Sequence, residues 1–239
     1  YRWRVRAQDK LGNWGVWSAE RTVTIRLGIP KAPVLMTPGA GAATNDTTPE
    51  LSWNGVAYGE QYEVQVSKSS TFSVLLVDEV LEMGETDWTS GELTDGVYYW
   101  RVRGKNADNE NGAWSGYRVL KVDTLTPALP RLNLPSDGVT TKDRTPTLSV
   151  MAAAGAKYYR FQISETGDFT SVLVDGTVTT TGYTPGAAQA LPYHTGYYWR
   201  AKAIDAATNE SVWTQPRRLT VTFQSTPVNG AVTVDRTPT

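Results

Sequence analysis

The stretch that decides the fold is YRWRVRAQDKLGNWGVWS, residues 1–18. Arginine occupies every second position at its start, and an apolar side chain lies between each arginine and the next. Alternation with a period of two is typical of a β-strand that has one apolar and one polar face. We therefore expect Trp3 to point inward, and Arg2, Arg4 and Arg6 to form an outward row.

The same stretch predicts that the chain turns back beside this strand. After the loop QDKLGN, two tryptophans, Trp14 and Trp17, follow close together. A guanidinium group packed over an indole ring contributes about 0.5–2 kcal/mol. If the chain reverses at the loop, the two rings lie across the outward arginines and pack on them.

The opening phrase recurs along the chain. YYWRVR begins at Tyr98 and YYWRAK at Tyr197, so successive copies of the Trp3 tryptophan are 97 and 99 residues apart. DTTPELSW, DRTPTLSV and DRTPT begin at residues 46, 143 and 235, and YEVQVSKSSTF and YRFQISETGDF begin at residues 62 and 159. Three phrases with one period indicate an internal repeat, and its length is that of a small β-sandwich domain.

The repeat divides the chain into four segments. The boundaries lie in proline-rich stretches, IPKAP at 29–33 and TLTPALP at 124–130, which favour extended and stiff chain. The predicted segments are the C-terminal part of a repeat at 1–25, complete β-sandwich repeats at 26–122 and 123–221, and the N-terminal part of a further repeat at 222–239.

Alternation with a period of two recurs inside each repeat. Tyr62, Val64 and Val66 alternate with polar residues, as do Tyr98 and Trp100, and no long window has a helical period. Short strands separated by turn residues predict an all-β fold of tandem antiparallel β-sandwich domains, with about 97 residues per repeat. The predicted core residues are Trp3, Trp53, Tyr62, Tyr98, Trp100, Tyr159, Tyr197 and Trp199.

These features resemble a fibronectin type III domain, in the divergent form common in bacterial extracellular proteins. Trp53 lies where that family has a tryptophan on its second strand, and Tyr98 and Tyr197 resemble the family's tyrosine corner. The resemblance covers nearly the whole chain. It implies an immunoglobulin-like sandwich in each repeat.

One core position departs from the family pattern. The second repeat has Val150 where the first has its tryptophan. Because valine is much smaller than tryptophan, the core must be packed differently there. We expect Met151 or Tyr158 to fill the space.

The arginines and tryptophans resemble the WSxWS ladder of cytokine-receptor sandwiches, in which guanidinium groups stack between tryptophan rings. The phrase in this chain is Trp14-Gly15-Val16-Trp17-Ser18, and its cationic and aromatic positions recur in both later repeats. The predicted structural stack consists of Arg2, Arg4, Arg6, Trp14, Trp17, Arg101, Arg103, Trp114, Arg200, Lys202 and Trp213.

The same resemblance makes two central strands neighbours. It implies that the strand with Glu63 and Gln65 lies beside the strand with Arg101 and Arg103. Opposite charges placed across two strands contribute about 0.2–1 kcal/mol. We therefore expect these four side chains on one face of one sheet.

Composition bears on the class of partner. The net charge of −1 gives no electrostatic reason to expect nucleic acid or an anionic membrane surface. The sequence contains no cysteine, so disulfides and thiolate metal sites are excluded. No apolar run is long enough to cross a bilayer.

Candidate sites are few. An exposed aromatic row could bind sugar, but arginine stems are expected to cover these rings, which favours a structural role. The Asp–Asn loops near residues 9, 108 and 205 favour capped turns over calcium, which needs about six to eight oxygen ligands. His194, the single histidine, is expected in a solvent-facing turn. We predict no catalytic, cofactor-binding or metal-binding residue, and no enzyme activity.

The sequence predicts a structural protein outside the cell. It favours a repeat array that forms or decorates a filament, stalk or adhesin on a prokaryotic cell surface. Its expected partners are neighbouring repeats of a longer chain and copies of itself, with surface glycans a further candidate. The alternative is a spacer or carbohydrate-binding region of a secreted polysaccharide-degrading enzyme.

The two end segments suggest a window from a longer polypeptide. Residues 1–25 supply only the last strands of a repeat, and residues 222–239 only the beginning of one. A two-stranded remnant is marginally stable by itself in water. We expect the missing strands to come from the same chain beyond the window rather than from a neighbouring copy.

Overall fold

The computed structural model describes residues 1–26, 28–193 and 195–223, and nearly all regular structure in them is β-strand. The expectations for His194 and for residues 224–239 lie outside the described residues. Contacts divide the chain into two compact units, with the main division between Leu120 and Lys121. Among the described residues, no helix is long and apolar enough to cross a bilayer.

The first 26 residues, called the head here, form one antiparallel strand pair. Strand β1 is Arg2–Trp3 and β2 is Arg21–Thr22, with Trp3 opposite Arg21. The prediction that Trp3 is a core residue is wrong for this structure, because its side chain is 51% exposed. Alternation places Trp3 on one face of the pair, but the described head supplies no second sheet to cover that face.

The first sandwich contains two sheets of three and five strands. The three-stranded sheet has the order β3-β5-β8 and the five-stranded sheet the order β4-β10-β9-β6-β7. The strands are β3 (Leu35–Thr37), β4 (Ala42–Thr44), β5 (Glu50–Trp53), β6 (Gln61–Ser67), β7 (Leu75–Val80), β8 (Asp87–Thr89), β9 (Gly96–Lys105) and β10 (Arg118–Val122).

The second sandwich repeats this plan. Its sheets have the orders β11-β13-β16 and β12-β18-β17-β14-β15. Strand β12 runs parallel to β18, and the other neighbouring strands of the two sheets are antiparallel. The elements are β11 (Arg131–Leu132), β12 (Val139–Thr141), β13 (Leu148–Met151), β14 (Tyr158–Ser164), β15 (Val172–Val178), β16 (Gly182–Tyr183), a short 3-10 helix (Ala187–Gln189), β17 (Thr195–Ile204) and β18 (Arg217–Val221).

This architecture confirms the all-β fold class and the tandem sandwiches. β10 ends at Val122 and β18 at Val221, the last residues of the two predicted complete repeats. The segment boundaries at 25, 122 and 221 stay predictions. Except for Trp3, the structure buries every predicted core residue: Trp53, Tyr62, Tyr98, Trp100, Tyr159, Tyr197 and Trp199.

The tyrosine at the start of β17 is fixed by a hydrogen bond to the loop before it. Tyr197 lies at the start of β17, and its hydroxyl donates a 3.0 Å hydrogen bond to the backbone carbonyl of Pro192. The ring is fully buried in the core while its hydroxyl is satisfied. This bond ties the loop before β17 to the strand.

The second core accommodates the small side chain of Val150 because a larger side chain occupies a position on another strand. The first sandwich has Trp53 on β5 and Val64 on β6, whereas the second has Val150 on β13 and Phe161 on β14. All four side chains are buried. Each core therefore holds one large ring and one valine at this pair of positions.

Tyr183, rather than the expected residues, packs on the new ring. It stacks on Phe161 with ring centroids 6.0 Å apart, and the glycine at 176 leaves room for it. The expectation for Met151 is wrong, since that side chain is 56% exposed, and Tyr158 is only half-buried. Met151 follows Val150 directly, so strand alternation turns it to the opposite face.

The size exchange can be tested by transplanting it. We expect Trp53→Val alone to lower the unfolding free energy of the first sandwich by about 2–4 kcal/mol through loss of buried ring volume. The double variant Trp53→Val, Val64→Phe should recover at least about 1 kcal/mol, because the two positions share one core. Urea unfolding of both variants and of Val64→Phe alone measures the coupling. Strictly additive losses would contradict the exchange.

Candidate functional site

The outward face of strands β6 and β9 carries the polar residues singled out in the sequence. Glu63 lies opposite Arg103 and Gln65 opposite Arg101, which confirms the predicted strand neighbours. Arg103 forms a bidentate ion pair with Glu63, with nitrogen–oxygen distances of 2.9–3.0 Å. Arg101 donates two hydrogen bonds to the Gln65 amide oxygen. The cross-strand partners hold both guanidinium planes in place.

These planes belong to a stack of cations and rings on the first sandwich. The Arg101 guanidinium carbon lies 4.1 Å from the Phe72 ring centroid and 4.3 Å from that of Trp114. Arg103 covers Trp114 at 4.4 Å. The order is therefore Phe72, Arg101, Trp114, Arg103, with the indole between two cations. Here we call this the first stack.

The second sandwich carries the same arrangement, which we call the second stack. Arg200 lies 3.8 Å from the Phe169 ring centroid and 4.3 Å from that of Trp213. Lys202 covers Trp213 at 4.8 Å and also pairs with Glu210. Lysine thus takes the place that arginine has in the first stack.

The head forms a stack with a different end. Trp17 lies between Arg4 at 4.4 Å and Arg6 at 4.5 Å, and Arg6 also lies 4.3 Å from Trp14. The later stacks have no counterpart of Trp14, because the corresponding residues are Asn111 and Glu210. The head stack therefore ends on an indole, which one cation covers.

Arg2 lies outside the head stack, contrary to the prediction. Its guanidinium lies 3.7 Å from the Glu20 carboxylate, and both side chains are largely exposed. The position corresponds to Tyr99 of the first sandwich, whose ring packs on Tyr117. In the described head, a carboxylate rather than a ring lies beside this position, so Arg2 forms an ion pair.

Phe72 and Phe169 are the members of the stacks that sequence reasoning missed. Each lies in a turn after a central strand, is buried, and has a positive φ of 54° or 60°. A signal was present, because the two phenylalanines are 97 residues apart and end the repeated phrase that begins with tyrosine. Nothing local, however, indicated that either ring turns towards an arginine on another strand.

The segment after each loop, called the return segment here, comprises residues 14–18, 111–115 and 210–214, and the same hydrogen bonds hold it in all three copies. The hydroxyl oxygens of Ser18, Ser115 and Thr214 accept from the amides of Val5, Val102 and Ala201 at 3.0–3.1 Å. The backbone amides of Ser18, Ser115 and Thr214 in turn donate to the carbonyls of Val5, Val102 and Ala201 at 2.8–2.9 Å. This pairing presents each tryptophan of the return segment to the outward cations.

Burial and neighbouring charges shift the pKa of several groups on this face. Burial, followed by the nearby Arg103, lowers the pKa of Arg101, and burial is also the main cause that lowers the pKa of Arg200. Both remain charged, because arginine titrates far above neutral pH. A hydrogen bond from Arg160 holds the pKa of Asp175 below its usual value.

The loops that precede the return segments are capped by side chains, as the sequence predicts for turns. Asp9 accepts hydrogen bonds from the amides of Leu11 and Asn13, and Asp205 accepts the equivalent pair in the second sandwich. The bond from Asn13 lowers the pKa of Asp9. No cluster of three metal-ligating side chains occurs in the described ranges.

In each of the two sandwiches, an asparagine of this loop also binds the segment that leads into the same sandwich, called the leading segment here. Asn106 donates to Glu110 at 3.0 Å and to the backbone carbonyl of Gly28 at 3.3 Å. Asn209 donates to Asp205 at 2.9 Å and to the carbonyl of Asp123 at 2.7 Å. Both hydrogens of each amide are used, so the leading segment is fastened to the sandwich that it enters.

Comparison with known proteins supports the fold. No family model and no curated protein matches the sequence. Solved structures do match: chicken CNTN1 FN1-FN3 domains align with a TM-score of 0.52 and 12% identity, covering 92% of this chain and 77% of that one. The fibronectin(III)-like modules of Clostridium thermocellum CbhA align with a TM-score of 0.54 and 12% identity, covering 80% and 94%. The chain therefore has a fibronectin type III-like fold, as predicted.

The first stack predicts the effect of removing its indole. We expect Trp114→Ala to lower the unfolding free energy of the first sandwich by about 1–3 kcal/mol, through loss of the ring between two guanidinium groups. Urea unfolding followed by NMR signals of each sandwich measures this. Trp213→Ala is the matched control and should act on the second sandwich instead. An unchanged first transition in Trp114→Ala would mean that this indole is a free surface aromatic.

The ion pair of Asp175 predicts a pH dependence. Its folded pKa is lowered, so its contribution to stability is present above the unfolded value of about 3.9 and is lost as the pH falls through the folded value. Asp175→Asn should therefore destabilise the second sandwich at pH 7, and the difference from wild type should shrink below about pH 4. Urea midpoints between pH 7 and pH 3 test this.

The chain offers a control for the pH experiment. Asp78 has the equivalent position in the first sandwich, where it accepts a hydrogen bond from Gln65 and where Glu63 replaces Arg160. Asp78→Asn should change stability less than Asp175→Asn at pH 7. Equal effects of the two variants at every pH would show that the arginine bond does not set the pH dependence.

Proposed function

We propose that this chain is part of an extracellular array of tandem β-sandwich domains that acts as a spacer, stalk or filament on a prokaryotic cell surface. The observation that carries the proposal is the repeated stack, in which two cations lie 4.3–4.8 Å from the ring centroid of Trp114 and likewise of Trp213. A binding platform needs free ring faces, whereas a covered ring contributes to the stability of the domain that carries it. Fibronectin type III-like modules are structural or linker domains.

The mechanism that we infer is mechanical. Each sandwich buries its own core, so the array gains length by addition of independently packed domains. The amides of Asn106 and Asn209 hold the leading segments, which reduces the conformations available to the chain where it enters a domain. Its partners would be further sandwiches of the same kind and copies of the chain. The proposal assigns no catalytic role and no cofactor.

A second candidate is a spacer or carbohydrate-binding region of a secreted polysaccharide-degrading enzyme. The observation in its favour is Trp14, whose ring is 53% exposed and packs on a single cation, Arg6. An indole with one free face can stack on a sugar ring. This candidate therefore depends on Trp14, whereas the structural proposal depends on the covered rings of Trp114 and Trp213.

Pull-down on insoluble polysaccharides separates the two functions. We expect the chain to stay in the supernatant with cellulose, xylan and chitin, because the rings of both complete sandwiches are covered. Retention that disappears in Trp14→Ala, but persists in the matched variant Trp114→Ala, would favour the carbohydrate-binding region. Electron microscopy of the native material tests the structural role directly, and separate particles without an extended or filamentous form would contradict it.

A further inference from the structure

The first sandwich contains two asparagines that are followed directly by glycine, in the pairs Asn54-Gly55 and Asn111-Gly112. A further such pair, at 229–230, lies outside the described residues. In an Asn-Gly pair the glycine nitrogen can attack the side-chain amide of the asparagine, because glycine has no Cβ to obstruct the approach. The attack requires that the nitrogen gives up its proton and that the chain around it can bend. The surroundings of the two pairs decide whether this happens.

The pair at Asn111 is held in place. The backbone amide of Gly112 donates a 2.8 Å hydrogen bond to the carbonyl of Gly104 on β9. Gly112 is buried, and an added methyl group there would lie 2.4 Å from the Pro30 carbonyl oxygen. Because its nitrogen is hydrogen-bonded and enclosed, this pair can react only in molecules whose loop has opened locally.

The pair at Asn54 has open surroundings. Asn54 directly follows β5, and both Asn54 and Gly55 are exposed. Among the described residues, no acceptor takes the backbone amide hydrogen of Gly55, and no partner holds the Asn54 side chain. A methyl group added to Gly55 would meet nothing closer than 3.6 Å. The attacking nitrogen and the amide that it attacks are therefore both free to move.

The backbone amide just after this pair supports the core. The Val56 amide donates a 2.8 Å hydrogen bond to the hydroxyl of Tyr62, whose side chain is only 1% exposed. The second sandwich has the same bond, from the amide of Ala153 to the hydroxyl of Tyr159 at 2.8 Å. Its loop has methionine and alanine in place of the Asn-Gly pair. A buried hydroxyl that loses its hydrogen-bond partner destabilises the fold.

We propose that Asn54 is a site of spontaneous covalent modification, converted to isoaspartate and aspartate in the folded protein, and that this conversion weakens the first sandwich. The Gly55 nitrogen bonds to the side-chain carbonyl carbon of Asn54. The bond from that carbon to the amide nitrogen breaks, and ammonia leaves with the proton of the Gly55 amide. Water then opens the five-membered imide: attack at the main-chain carbonyl gives isoaspartate, and attack at the side-chain carbonyl gives aspartate.

Isoaspartate changes the path of the main chain. It adds one carbon to the main chain between residues 54 and 55 and leaves a free carboxylate beside it. The added carbon moves the Val56 amide away from the Tyr62 hydroxyl, which is fixed by the core. The reaction needs only water, so it occurs whether or not the chain serves as a spacer.

Incubation of the whole chain in mildly alkaline buffer, followed by peptide mass spectrometry, measures the conversion of each asparagine. We expect Asn54 to convert at least about tenfold faster than Asn111, because Asn111 reacts only in the locally opened minority of molecules. In concentrated urea, where both pairs are unfolded, the two rates should be similar. Equal rates in the folded protein, or conversion of Asn54 in urea alone, would overturn the proposal.

Gly55→Ala is the matched variant, because its methyl group hinders the attacking nitrogen and yet has room in the fold. It should keep most of its Asn54 over the period in which the wild type loses it. Urea unfolding followed by NMR signals of each sandwich then compares incubated with fresh protein. The first sandwich of incubated wild type should unfold at a lower urea concentration, whereas its second sandwich and both sandwiches of incubated Gly55→Ala should be unchanged. A constant first transition after full conversion of Asn54 would contradict the proposed weakening.

Discussion

Everything else in each sandwich depends on the antiparallel pairing of the two central strands, β6 with β9 and β14 with β17. Because neighbouring side chains point to opposite faces, this pairing builds the core and the outward face at once. Tyr62 and Trp100 go inward and are buried, while Glu63 and Arg103 go outward and form an ion pair. A slip of one residue in the register would expose the rings and bury the charges.

The outward face gains order from residues that belong to other elements. Phe72 comes from a turn and Trp114 from the return segment, and the Arg101 guanidinium lies between the two rings. Arg101 is in turn held by Gln65 on the neighbouring strand. The stack therefore joins a turn, a central strand and the return segment on the surface of one sheet, and this is how a surface aromatic becomes part of the domain's stability rather than a binding site.

The three copies show which parts of this arrangement tolerate change. Lysine replaces arginine in the second stack, and a phenylalanine on β14 offsets the loss of a core tryptophan on β13. The loop asparagine is at the first loop position in the first sandwich (Asn106) and at the fifth in the second (Asn209). In both sandwiches its amide donates to a carbonyl of the leading segment. In the head the asparagine is Asn13, at the fifth position, and its amide donates to the Asp9 carboxylate.

The sequence by itself determined the strands, the repeat and the cations of the stack. Alternation with a period of two, a recurrence near 97 residues and the recurring Arg–Trp phrases are all local patterns that can be read along the chain. Only the tertiary structure decided the exposure of Trp3, the place of Phe72 in the stack and the packing of Tyr183 on Phe161. Each of these depends on which distant segment covers a given face, and local alternation specifies the face of a side chain but not the segment that packs on it.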